Sequence, residues 1–100
     1  METMKNYQSE LAGIVRSNIS PRALKEQLLG YHENDIAAAM ETLVPEERGK
    51  IYRVLDAQTL SDTFEYLEDS SIYFHELNIK KKVEVLSCMN ADEAVALLRR

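Results

Sequence analysis

Tryptophan is absent from this chain, cysteine occurs once, proline twice and glycine three times. The single Cys88 excludes an internal disulfide and any cysteine-based zinc cluster. So few glycines and prolines argue against disorder, and they leave no glycine-rich loop that could cradle a phosphate. Apolar runs are no longer than that from Ile36 to Met40, far short of the roughly 20 residues a membrane-crossing helix needs. The opening stretch METMKNYQSELAGIVRS has no apolar core ahead of a cleavage site, so it does not read as a signal peptide. These absences together read as a soluble, cytosolic chain.

Positive charge is scarce where it would matter for nucleic acid. Residues 32–76 hold 11 Asp+Glu against three Lys+Arg, while the segments on either side are slightly basic and the whole chain carries −5. Phosphate neutralisation dominates nucleic-acid binding, so an acidic centre disfavours that class. It leaves cations, basic partners or a solvated helical surface.

What is present is a repeat. His32 to Leu43 reads HENDIAAAMETL, and 24 residues later Asp56 to Leu67 reads DAQTLSDTFEYL, so that Ile36, Met40 and Leu43 fall on Leu60, Phe64 and Leu67. Each copy begins with capping-type residues and continues with apolar residues three and four apart, the pattern of one amphipathic helix written twice. Asn90 to Leu98 (NADEAVALL) is a third copy, 34 residues after the second. The preceding helices also match, with Ile51, Tyr52 and Leu55 falling on Val85, Leu86 and Met89. The unit is therefore read as a helix pair, with an insertion between Leu67 and Val83. Repeats of this length point to stacked helices, which form binding surfaces more often than active sites.

Local signals fill in the remainder. A first helix is expected over Met4 to Arg16, with Leu11, Ile14 and Val15 inward. Ser20-Pro21 reads as a cap followed by proline at the first helical position, and Gly30 as a C-terminal stop. Another repeat helix runs from about Glu33 to Thr42. Pro45 opens the next, with Glu46 and Glu47 in its first turn. Asp56 caps a further helix, Ser70 begins a short segment, and Asn78 caps a helix whose inward residues are Val83, Leu86 and Met89. Asn90 with Glu93 forms a capping box. The expected fold is an all-α array of about eight short helices in stacked pairs, one domain over residues 1–100, with residues 1–23 as an N-terminal extension.

No catalytic constellation emerges, and the chain is not expected to be an enzyme. His32 and His75 lack the i, i+4 partner of a helical zinc site, and Cys88 reads as a buried, inert thiol beside Met89. The carboxylates carry more information. Asp62 and Glu65 lie three apart on one helix and so share a face, and Asp92 and Glu93 open the last helix. Hard divalent cations take such oxygen ligands, and Mg²⁺ often uses only one or two carboxylates while keeping its waters. Exposed helix carboxylates and caps account for the same residues.

The order of several motifs then resembles a known family. Leu28 to Leu67 carries D-I-A after H-x-x, the turn L-V-P-E-E-R and then R-V-L-D, and Met89 to Leu98 reads MNADEAVALL. From about Leu24 to Arg100 this is similar to the cytosolic N-terminal domain of the MgtE magnesium channels. The resemblance implies a right-handed superhelix that regulates a pore and is not itself the pore. It implies CBS domains of the same polypeptide as partners, Mg²⁺ as the bridging ion, and a homodimeric membrane protein as the parent, with this segment at the cytoplasmic face. Residue by residue, it assigns metal-facing roles to Asp62, Asp92 and Glu93. Ala96 departs from the pattern, because the family places a further aspartate there. The abrupt end at Arg99-Arg100 reads as a segment of a longer transporter. A metal-independent interaction module remains the other reading, since flagellar motor switch proteins have similar helix repeats.

Overall fold

The computed structural model describes residues 6–99. Within them the chain forms eight α-helices and no strand: α1 (Tyr7–Arg16), α2 (Pro21–Leu28), α3 (Glu33–Met40), α4 (Pro45–Val54), α5 (Ala57–Phe64), α6 (Ser70–Phe74), α7 (Ile79–Ser87) and α8 (Ala91–Leu98). The fold is all-α, as the sequence pattern indicates. Met4 and Lys5, which the sequence assigns to the first helix, lie outside the described residues.

Capping chemistry sets where the helices begin. Ser20 Oγ accepts the Ala23 N–H at 3.1 Å, Asn78 Oδ1 the Lys81 N–H at 2.8 Å, and Asn90 Oδ1 the Glu93 N–H at 2.8 Å. Each such cap stabilises its helix by about 1 kcal/mol. His32 caps α3 through Nδ1, which accepts the Asn34 N–H at 3.1 Å. Pro21 and Pro45 open α2 and α4, where a missing N–H costs nothing. Gly30 is not a left-handed stop. No glycine here has positive φ, and α2 ends in a right-handed Leu29 cap. Gly30 instead permits a tight turn, because a Cβ there would stand 3.3 Å from the Gln27 carbonyl oxygen.

The caps of α2 to α5 stand at Ser20, His32, Val44 and Asp56, an even spacing that puts equivalent residues inward on each turn of the array. The eighth residue after the cap is Met40, Tyr52 or Phe64, the eleventh is Leu43, Leu55 or Leu67, and all six are buried. Burying one side chain of this size contributes roughly 1.5–3 kcal/mol. Alternate helices stack: α1 on α3, α3 on α5 and α5 on α7 in one layer, with α2 on α4 and α6 on α8 in the other. The result is an elongated body of 45 × 32 × 21 Å. Leu11 and Val15 of α1 are part of the same core.

This layering revises the repeat. The ten-residue insertion is one short helix, α6, with its turn. Because a single helix is added, the third copy (α8) stacks in the opposite layer from the first two (α3 and α5). The inward register of α7 changes with it. Val85 is fully buried, whereas Val83, expected inside, is 58% exposed. Cys88 is the half-buried C-cap of α7, not a core thiol.

Candidate functional site

The three assigned carboxylates occupy two helices from different layers. Asp62 sits half-buried on α5 and accepts a hydrogen bond from Gln58 Nε2 at 3.0 Å, one turn back. Asp92 is exposed in the first turn of α8. Glu93 is held by its capping box, with Oε1 accepting the Asn90 N–H at 3.1 Å. A carboxylate engaged in this way keeps a second oxygen for other partners.

Between these helices lies an open cleft of about 380 Å³. Phe64, Leu67, Met89 and Leu97 supply its apolar lining, and Glu65, Glu68 and Glu93 its carboxylates. Ala96, the departure from the family pattern, is part of the same wall. The structure thus brings Glu93 together with Glu65 and Glu68, while Asp62 and Asp92 are outside this lining. The oxygen donors suit a hard cation such as Mg²⁺, but among the described residues no three His, Cys, Asp or Glu side chains are grouped closely enough to hold a metal ion.

A second constellation was not singled out from sequence. Arg48, on α4, is 8% exposed. Its Nε donates to Glu76 Oε1 at 2.9 Å, a second guanidinium nitrogen donates to Glu76 Oε2, and a third donates to the Met40 carbonyl at 3.2 Å and to that of Leu43. The guanidinium also lies 4.9 Å from the centre of the Tyr73 ring, within cation–π range. Tyr52 completes the network by donating its hydroxyl to Glu76. Burial alone would raise the Glu76 carboxyl, yet the bonds from Arg48 and Tyr52 outweigh it and hold it below the usual carboxylate range. The network ties the end of α3 to α4 and to the α6–α7 turn, so its role is architectural. The signal was available in the spacing: Ile36, Arg48 and Leu60 stand at equivalent places, and an arginine where its neighbours are aliphatic marks a buried charge in need of a partner.

Elsewhere on the acidic surface, Glu47 Oε1 accepts the Val44 N–H and Oε2 the Arg16 Nε, each at 3.0 Å. The backbone bond first and the arginine second lower its carboxyl from the ordinary value. His32 stacks edge-on against Tyr66 at 5.7 Å, which links α3 to the end of α5. Among the described residues no helix is long and apolar enough to cross a membrane.

Comparison with known proteins gives one answer. No curated protein and no solved structure matches the chain. The family model of the MgtE intracellular N domain matches residues 22–100, nearly the span over which the motif order resembles that family. The chain with this capped, two-layered array therefore belongs to the MgtE intracellular N domain family, the regulatory domains of magnesium transporters and not a family of enzymes.

Proposed function

We propose that this domain regulates its transporter by docking on CBS domains of the same polypeptide, with Mg²⁺ bridging carboxylates of the two surfaces and favouring the closed channel. The family match over residues 22–100 carries this reading. Asp62, Asp92 and Glu93 are the bridging candidates, and Glu65 and Glu68 extend the same acidic surface. Facing acidic surfaces repel; a dication that neutralises them strengthens docking in proportion to its preference for the docked state. The parent is a homodimer with this domain at the cytoplasmic face of the membrane, a single domain in which residues 1–23 extend the family core.

Calorimetric titration of Mg²⁺ into the chain, alone and together with the CBS pair, tests the proposal. Binding that requires both components, and weakens in Asp62→Ala or Asp92→Ala, is the expected result. Docking indifferent to Mg²⁺ and to both substitutions would replace it with the metal-independent interaction module. The alanine at position 96 is the observation that favours this second reading, since it removes an oxygen donor from the cleft wall.

A further inference from the structure

A groove opens where the end of α1, the link between α1 and α2, and α4 meet. Val15, Ile19, Leu24 and Val54 give it apolar walls, Lys50 and Arg53 give it cations, and no Asp or Glu is among its lining residues. That runs against the chain as a whole, which carries −5. The bias has a source in the sequence. Residues 11–25 contain three Lys+Arg and no Asp or Glu, and Lys50 and Arg53, three apart on α4, share a face. Both cations have capacity left for a ligand. Lys50 Nζ donates to the Val15 carbonyl at 3.1 Å, which leaves two of its three ammonium protons. Arg53 is exposed, and among the described residues it has neither a hydrogen-bonded partner nor an ion pair. The nearby carboxylates are already committed. Glu47 bonds to the Val44 N–H and to Arg16, and Glu76, which shares a neighbouring cleft with Arg53, is taken up by Arg48 and Tyr52.

We infer that this groove binds an acidic peptide: one aliphatic side chain of a partner segment enters between Ile19 and Val54, and the carboxylates flanking it pair with Lys50 and Arg53. Size and charge select this occupant. The groove holds about 150 Å³, below the roughly 300–1,000 Å³ of small-molecule sites, so it seats a single side chain and not a cofactor. Its cations ask for carboxylates, and a guanidinium takes a carboxylate through two parallel bonds. Asn18, exposed in the link and part of the lining, adds an amide able to pair with a peptide backbone. A membrane surface fits less well, because the apolar residues line a concavity and only Ile19 among them, 40% exposed, stands at the surface. The groove joins two parts of the chain. α1 and the link precede the family match over residues 22–100, whereas α4 lies within it, so the N-terminal extension supplies one wall of a site whose other wall is the family core. Fixed side chains neutralise the partner here, so no metal is required. The site uses none of Asp62, Asp92 or Glu93 and stands or fails separately from the Mg²⁺-dependent docking.

Fluorescence anisotropy of the whole chain with a short labelled peptide, a leucine flanked on both sides by aspartates, is the test, run in EDTA so that no divalent cation contributes. Saturable binding that weakens with added salt is expected. Arg53→Glu should reduce affinity about tenfold and leave helical circular dichroism unchanged, because Arg53 has no bond to lose. A peptide with serine in place of the leucine should bind the wild-type chain about tenfold more weakly. Ile19→Ser should weaken the leucine peptide and leave the serine peptide as it was. Equal binding of the two peptides would reduce the groove to a diffuse basic patch and overturn the inference. An Arg53→Glu variant of wild-type affinity overturns it too, as does the absence of saturable binding below about 1 mM. Vesicles rich in phosphatidylserine are the last probe: Arg53-dependent binding to them, with none to the peptide, would assign the patch to a membrane surface instead.

Discussion

Arg48 and Glu76, 28 residues apart, are joined by two parallel hydrogen bonds at a place where the side chains are only 10% and 19% exposed. The pair spans the point at which the extra helix enters the array, so it fixes the α6–α7 turn against α4. Losing one partner should be costly. Arg48→Met leaves the Glu76 carboxylate without its cationic partner and the Leu43 carbonyl without the arginine donor, and stability is expected to drop by about 3–5 kcal/mol in urea unfolding. Arg48→Met with Glu76→Leu should be less destabilising than the sum of the two single changes, because no charge is then stranded. Additive losses would argue against a coupled pair.

The same network should shape the pH dependence of stability. Glu76 has a carboxyl depressed on folding, so its contribution is complete above the unfolded value of about 4.3 and is lost as pH falls through the lower folded value. Asp56 acts in the same direction, its carboxyl lowered first by the hydrogen bond from the Thr59 side chain. Tyr52 has the opposite sign. Burial first, and its bond to Glu76 second, push its hydroxyl well above the ordinary value. Its contribution is therefore intact below about pH 10 and is lost as pH rises beyond it. Unfolding free energy should form a plateau between about pH 5 and 9, falling on both sides. Tyr52→Phe should flatten the alkaline fall and, by removing one of the bonds that lower Glu76, make the acid fall shallower as well.

Substitutions on the stacked helices test the layering directly. Leu60, fully buried on α5, should lose about 2–5 kcal/mol on replacement by alanine. Val83→Ala, measured at low protein concentration, should change stability by no more than about 0.5 kcal/mol, although the two residues carry the same kind of apolar periodicity. A large loss at Val83 would restore it to the core.

Ala96→Asp addresses the cleft. The position is exposed, so the fold should tolerate the change, and the added oxygen donor joins Glu65, Glu68 and Glu93. Mg²⁺ binding in the presence of the CBS pair should strengthen, read as a lower midpoint in the calorimetric titration. An unchanged midpoint would separate this cleft from the metal-dependent surface.

Much of the fold could be read from local chemistry. Ser20, Asp56, Asn78 and Asn90 announce helix starts because each side chain satisfies a backbone N–H within its own first turn, an interaction contained in four residues. Ile36, Met40, Leu43 and their counterparts announce the buried side because helical periodicity is also local. What escaped was relational. Nothing within the segment around Val83 states which layer α7 will join, since that depends on counting the helices before it. The partner of Arg48 was hidden for the same reason, Glu76 being supplied by a distant turn. Among the carboxylates, Asp62 and Glu65 were correctly placed on one helix, but the structure alone shows that Glu65, at the C-cap of α5, contributes to the cleft with Glu93 while Asp62 is engaged by Gln58.

The five-residue helix α6 has a consequence for how such a domain can change. Adding or deleting two helices together leaves every later element in its original layer, with the same surface turned outward. A single helix exchanges the layers for everything downstream, so the closing acidic turn at Asp92 and Glu93 moves to a new side of the body with its sequence intact. Parity in the number of helices is therefore a variable of its own. It can re-aim a docking surface without altering one residue of it.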